Sequence, residues 1–286
     1  MNNKKGLFML IVSMLIFGTI GIFRKYIPLG SGTVAVFRAW IGCVFLFGML
    51  LLQKKRIRVE KKTLPLLCIS GAAIGFNWIL LFEAYRYVSV ATATLCYYMA
   101  PVIVIAASPF VLKEKLNLKK ICCVIAAILG VIPVSGILSD RTVTDIRGIL
   151  FGLGAAMLYA SVILFNKRLQ GVGAFDRTLL QLAFAGAVLL PYVLLTEKVS
   201  IGDYTPKVIF LLLIVGIIHT GVAYVLYFAS LEKLKAQTAA LYSYIDPISA
   251  ILLSAVILGE LPGVMTVVGA VLILGAAVVS DLGDST

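Results

Sequence analysis

Ala91-Thr92-Ala93-Thr94-Leu95-Cys96-Tyr97-Tyr98-Met99-Ala100-Pro101 returns without a gap as Gln237-Thr238-Ala239-Ala240-Leu241-Tyr242-Ser243-Tyr244-Ile245-Asp246-Pro247. Thr92, Ala93, Leu95, Tyr98 and Pro101 recur as Thr238, Ala239, Leu241, Tyr244 and Pro247, at an offset of 146 residues. The same offset carries Glu114 onto Glu260. Both copies lie in apolar runs of membrane length, so the chain reads as a doubled membrane protein. Two related halves of this kind can rock about a site held between them.

Composition agrees. The 286 residues are 61% hydrophobic and 13% charged, with a mean hydropathy of +1.07. A soluble domain has roughly 45–50% apolar and about 25% charged residues. The formal charge of +12 sits in the short links between apolar runs, mostly in alternate links. That is the pattern of cytoplasmic loops and not of a nucleic-acid surface. Cys43, Cys68, Cys96, Cys122 and Cys123 all fall in apolar runs without metal-ligand spacing. They read as small buried hydrophobes, and no metal or other cofactor is expected. Met1 to Lys5 and the apolar run behind them read as the start of a first span and not as a cleaved leader.

A bilayer core of about 30 Å takes roughly 20 apolar residues in helix. Ten segments meet this requirement, near 6–26, 32–52, 64–86, 90–112, 119–138, 148–168, 177–196, 207–230, 237–258 and 263–281. With the N-terminus inside, seventeen of the 25 Lys and Arg fall in inside segments and seven in outside ones, while Arg38 lies within a span. Both termini are therefore expected in the cytoplasm of a multi-pass cell-membrane protein. Five spans per half is an odd number, so the second half, 141–286, is inverted relative to the first, 1–140. The expected fold is all-α: ten transmembrane helices in two inverted five-helix repeats around a central cavity. Phe23-Arg24-Lys25 echoes Phe165-Asn166-Lys167 at an offset of 142, and Gln181 stands opposite Arg38 at 143.

The stretches from Tyr87 through Leu95 to Glu114, and from Leu234 through Leu241 to Glu260, resemble the EamA-type branch of the drug/metabolite transporter superfamily. The likeness lies in a proline at mid-depth of the fourth and ninth spans with a glutamate at their ends, and it covers nearly the whole chain. It implies a secondary transporter with a central cavity lined by the first, third, fourth, sixth, eighth and ninth helices. The substrate stays open, since the family carries amino acids, nucleosides, vitamins and other small metabolites.

Charge within a bilayer costs a few kcal/mol per residue on insertion scales, so intramembrane ionisable groups are functional candidates. Asp246, before Pro247, can bind a substrate ammonium or carry a coupled proton; alternatively it ties helices together through a Tyr or Ser. Tyr242, four residues earlier, is expected on its helical face. Pro101 and Pro247 each remove a backbone donor and loosen the helix at mid-depth. Arg38 and Glu83 fall in the outer quarter of the membrane and can form an ion pair, form a gate or meet the two ends of a zwitterion. His219 can relay a proton or hydrogen-bond to a neighbouring helix, and Asn77 can likewise bind substrate or tie helices together. Tyr97, Tyr98, Tyr242 and Tyr244, with Tyr159 and Tyr224, lie centrally, where lipid-facing tyrosine is uncommon. They line a cavity or pack helices. Glu114 and Glu260 read as helix-end anchors.

These features lead to a small-metabolite transporter working by alternating access, with export of amino acids or related compounds as the first reading. Import of nucleosides or vitamins is the alternative. An intramembrane enzyme is disfavoured by the single histidine and by the lack of a phosphate-binding loop. The expected partners are a small-molecule substrate, the lipid bilayer and, if transport is coupled, a proton. Monomer and homodimer both remain open.

Overall fold

A computed structural model describes residues 2–54, 56–111, 118–134, 145–169, 171–198, 200–231, 233–234 and 242–281. The described residues contain helices and turns but no strands. We number the helices α1 (Asn2–Lys25), α2 (Ser31–Leu52), α3 (Leu64–Tyr87), α4 (Val90–Tyr97), α5 (Ala100–Val111), α6 (Leu118–Val134), α7 (Ile146–Arg168), α8 (Ala174–Thr196), α9 (Pro206–Ile214), α10 (Ala223–Leu231), α11 (Ile245–Leu258) and α12 (Val264–Asp281). A wide-turn helical segment, Val215–Val222, joins α9 to α10. Seven helical stretches are long and apolar enough to cross a membrane, among them Val90–Val111 and Pro206–Ser230 taken whole. Ile245–Leu258 and Val264–Val279 are shorter apolar helices. The expected fifth and ninth spans, 119–138 and 237–258, run partly outside the described residues, as do Glu114, Thr238, Ala239 and Leu241.

Local chemistry sets the helix starts. Ser89 accepts a hydrogen bond from the Thr92 amide and caps α4, and Asp145 does the same for the Arg147 amide at α7. Thr205 caps α9, with Pro206 in the first turn, where no amide donor is required. α11 ends at Gly259, whose φ of 68° is the left-handed conformation that glycine adopts freely.

Packing then follows. α3 lies between α7 and α8, while α2 lies on α8 and on the wide-turn segment. α1 packs along α10 and α11, α4 touches α7 and α11, and α6 pairs with α12. Outward-facing apolar side chains such as Phe110 (87% exposed), Leu195 (86%) and Val256 (83%) have no protein partner to bury them. Hydrocarbon is the solvent that suits such a surface. The protein is thus a multi-pass helical membrane protein.

One end of the bundle gathers residues 26–33, Glu83, Val90, Glu197 and Glu260. The other gathers Arg58, Asn166 and Asp176. We call these the Glu260 end and the Asp176 end.

α1 meets α11 at Gly18, where a side chain would collide with Ser249 Oγ and with the Asp246 carbonyl. Gly48, by contrast, faces open space. Gly18→Leu is therefore expected to destabilise the protein by about 1–3 kcal/mol, read as a lowered thermal midpoint in detergent. Gly48→Leu should leave the midpoint unchanged, and equal midpoints for the two variants would contradict this packing.

Candidate functional site

The membrane-length helix 90–111 is interrupted at Tyr98 and Met99, two residues before Pro101. α11 begins at Ile245, so Pro247 also stands in a first turn. First-turn amides have no intrahelical acceptor, so proline costs little there. At the first interruption the Tyr98 amide still bonds Thr94 O at 2.9 Å, and the Met99 amide bonds Cys96 O at 3.2 Å. The turn thus satisfies backbone groups that lipid could not.

The interruptions face each other. Tyr98 Oη donates to Asp246 Oδ2 at 2.7 Å. The Tyr98 and Tyr244 rings lie 6.5 Å apart, tilted by 47°. Tyr97 stacks on Tyr159 at 5.3 Å and meets Tyr98 edge-on at 6.1 Å. Ser249 Oγ donates to the Asp246 carbonyl at 2.9 Å. Tyr224, on α10, packs against Phe17 and Phe228 at 5.5 and 5.9 Å. Asp246, Tyr97, Tyr98 and Tyr224 are only half-buried although helices surround them. Tyr242 does not act as the partner of Asp246. The helix is broken at Tyr244, so the four-residue face does not run through it. Tyr242 is 36% exposed, and the hydroxyl on Asp246 comes from α4's end instead. Tyr97 and Pro101 likewise fall on opposite sides of a break.

Arg38 is 5% exposed. Its Nε donates to Thr220 Oγ1 at 2.8 Å, and its guanidinium carbon lies 4.1 Å above the Trp78 ring and 5.9 Å from that of Phe82. The expected ion pair between Arg38 and Glu83 is not formed. Trp78 and Phe82 share a face of α3, which Arg38 covers, while Glu83 points about 100° further round that helix. Glu83 instead accepts from Arg86 Nη1 at 2.9 Å and from Ser31 Oγ at 2.7 Å. No carboxylate of the described residues lies within ion-pair distance of Arg38. Asp246 is within electrostatic reach of it.

The polar residues His219 and Asn77 join helices. His219 Nε2 shares a 2.8 Å hydrogen bond with Thr19 Oγ1, and its ring stands edge-on to Phe23 at 4.8 Å. Asn77 Nδ2 donates to Ala155 O at 2.6 Å, tying α3 to α7. At the Glu260 end, Glu260 accepts from the Val90 amide at 2.7 Å and pairs with Lys25 at 3.1 Å. Glu197 accepts from the Gly32 and Thr33 amides, at 2.8 and 2.9 Å.

Sequence reasoning missed Trp78, Thr220 and Arg24. Thr220 accepts from Arg38 because the wide turn moves its hydroxyl off the ordinary helical face; there it also donates to Val215 O, five residues back, at 3.1 Å. The signal available was the pair Gly216 and Gly221 around His219 and Thr220, since a side chain at Gly216 would collide with Ile41 of α2.

Comparison with known proteins places these residues in context. The profile of the EamA-like transporter family matches residues 4–136 and 146–280. A protein of Bacillus subtilis (strain 168) described as uncharacterized transporter YxxF is 30% identical, over 92% of this chain and 85% of its own. Protein RarD of Salmonella typhi is 25% identical, over 74% of this chain and 70% of its own. A solved crystal structure superposes at a TM-score of 0.68, covering 98% of this chain and 97% of the other, with 17% identity. At that identity the likeness concerns the fold alone.

The bond between Tyr98 and Asp246 generates a test. Tyr98→Phe leaves a carboxyl without its donor, which costs about 1–3 kcal/mol in unfolding experiments. Combined with Asp246→Asn in a double-mutant cycle, the losses should fall short of additivity by about 1 kcal/mol or more. Strict additivity would show that the two side chains do not interact.

Proposed function

The chain belongs to the EamA-like transporter family, and on that premise we propose that it exports an amino acid or a related zwitterion by alternating access. The drug/metabolite transporters are carriers of small molecules and not enzymes. The observation that carries the reading is the contact between Tyr98 and Asp246, one residue from each half of the chain, with Arg38 in electrostatic reach.

Asp246 offers an ammonium group a counter-charge, and Tyr97, Tyr98, Tyr159 and Tyr224 offer ring faces that attract a cation by about 0.5–2 kcal/mol. Arg38 offers a carboxylate a planar donor. These groups define a central cavity between two inverted five-helix halves, 1–140 and 141–286. The packing order supports the inversion. Exchanging the halves turns the contact of α1 with α10 into that of α7 with α3. It turns α1 with α11 into α7 with α4, and it maps the pairs α2 with α8, α4 with α11 and α6 with α12 onto themselves. The two separate stretches matched by the family profile fit the same division.

The ten-span count, the cell-membrane location and the cytoplasmic termini belong to this reading, supported by the excess of Lys and Arg in alternate links. By that orientation the Glu260 end is outer. Flux is driven by a coupled proton, for which Asp246 is the carrier, or by exchange down a gradient. Import of nucleosides or vitamins is the second reading, favoured by the stacked Tyr97 and Tyr159 rings, which suit a planar ring as well as a cation.

Proteoliposomes loaded with labelled amino acids, and in parallel with labelled nucleosides and vitamins, test the proposal. Amino-acid flux is expected, and Asp246→Asn should reduce it by about tenfold or more, equivalent to about 1.4 kcal/mol, with the protein still inserted and folded. Nucleoside or vitamin flux alone would select the second reading. Flux unchanged in Asp246→Asn would remove this residue from the mechanism.

A further inference from the structure

Arg24 ends α1, where a sequence reading counts it as a loop charge. The structure buries it to 5% exposure. Its Nη1 donates to Ile27 O at 2.7 Å and its Nη2 to Ser31 Oγ at 3.0 Å, while its Nε has no partner. It lines a cleft of about 440 Å³ at the Glu260 end together with Lys25, Arg86, Ile27, Pro28 and Tyr85. Of the three cations, Lys25 is paired with Glu260 and Arg86 with Glu83. Arg24 has no carboxylate within ion-pair distance among the described residues. Glu83 and Glu197 lie within its electrostatic reach, yet their oxygens are engaged by Arg86 and Ser31 and by the α2 amides. A buried guanidinium held by neutral partners alone is costly, and an arriving anion relieves that cost.

A second observation is independent of the cleft. In the repeat, Arg24 stands opposite Asn166 and Arg38 opposite Gln181. One bond joins the two amides: Gln181 Nε2 donates to Asn166 Oδ1 at 2.8 Å, and it also donates to Ser70 Oγ at 2.6 Å. Two arginines cannot close in this way, because each is a donor without an acceptor. Arg24 and Arg38 each approach the Phe82 ring instead, with their guanidinium carbons 6.0 and 5.9 Å from its centre. The Glu260 half therefore carries two buried charges with no counter-ion in direct contact among the described residues, where the Asp176 half carries a neutral, hydrogen-bonded pair.

We propose that Arg24 is the anion contact of an outer substrate site and that Arg38 takes the same group deeper in, so that the cargo bears a carboxylate. The proposal rests on the transport reading for the route that joins the two arginines. Pro28 is the exposed apolar residue of the cleft lining and can meet an apolar substituent beside the carboxylate. At the repeat positions equivalent to Arg24 and Arg38 the Asp176 end has the neutral Asn166 and Gln181, and its half-buried Arg177 is turned onto Asn166 O.

Equilibrium titration of the full chain in nanodiscs, at fixed ionic strength, tests this with two probes. N-acetyl-leucine has a carboxylate but no ammonium, and leucinamide has an ammonium but no carboxylate. Arg24→Gln should weaken N-acetyl-leucine by about tenfold or more, as expected for a lost charge-assisted contact, and leave leucinamide unchanged. Pro28→Trp narrows the cleft with Arg24 intact and should also weaken N-acetyl-leucine; it decides the matter if Arg24→Gln does not fold. Wild-type affinity for N-acetyl-leucine in both variants, or no binding by the wild type, would overturn the proposal. Asp246→Asn, judged by flux, should keep its N-acetyl-leucine affinity, so either idea can fail while the other stands.

Discussion

In hydrocarbon a polar group finds no water, and that constraint governs where this chain can depart from regular helix. The break before Pro101 and the break at Tyr244 before Pro247 are tolerable because they meet at one place, where Tyr98 donates to Asp246. Apart from each other, each would present loose backbone to lipid. Asp246 would be a bare carboxyl among apolar helices. The close approach of α1 at Gly18 serves the same contact, since it brings α1 against Ser249 and the Asp246 carbonyl. The wide-turn segment follows the same logic on the other side of α1, where Thr220 and His219 find acceptors or donors in Val215, Ile214, Arg38 and Thr19.

A charge imbalance is superimposed on this doubled frame. Structural acids such as Glu260 and Glu197 spend their oxygens on the first turns of α4 and α2, where orphan amides and the helix dipole favour negative charge. These contacts fasten helix ends and leave little acceptor capacity for cargo. Arg24 and Arg38 are different. They rest on neutral oxygens and aromatic faces, which satisfy geometry but do not neutralise charge. A protein meant only to hold helices together has no need of charges stored in this way. On the proposal made above, a carrier that must take up and release an anionic group does.

The spans were legible because hydrophobic length is a local property: α3 runs from Leu64 to Tyr87 against an expected 64–86. Asp246 was legible for the same reason, as a charge in an apolar run. Its partner was not. Tyr98 is 148 residues away, whereas Tyr242 stands at helical spacing on a face that the interruption at Tyr244 removes. Arg38 and Glu83 are near neighbours along the membrane normal by their places in α2 and α3, but depth is only one coordinate. Rotation about α3 turns Glu83 toward Ser31 and Arg86, and α3 offers Trp78 to Arg38 instead. Arg24 escaped notice because a charge at a helix end reads as solvated, and only tertiary packing reveals that loop 26–30 closes over it.

Alternating access requires the ground between Tyr98, Asp246 and Tyr224 to open in turn to each side of the membrane. A single cysteine at position 224, in a chain whose five native cysteines are replaced by alanine, tests it directly. A membrane-impermeant thiol reagent should label this cysteine from either face, in right-side-out and in inside-out vesicles, and a bound substrate should slow both reactions. Labelling from neither face, or from one face only under every substrate condition, would contradict the account.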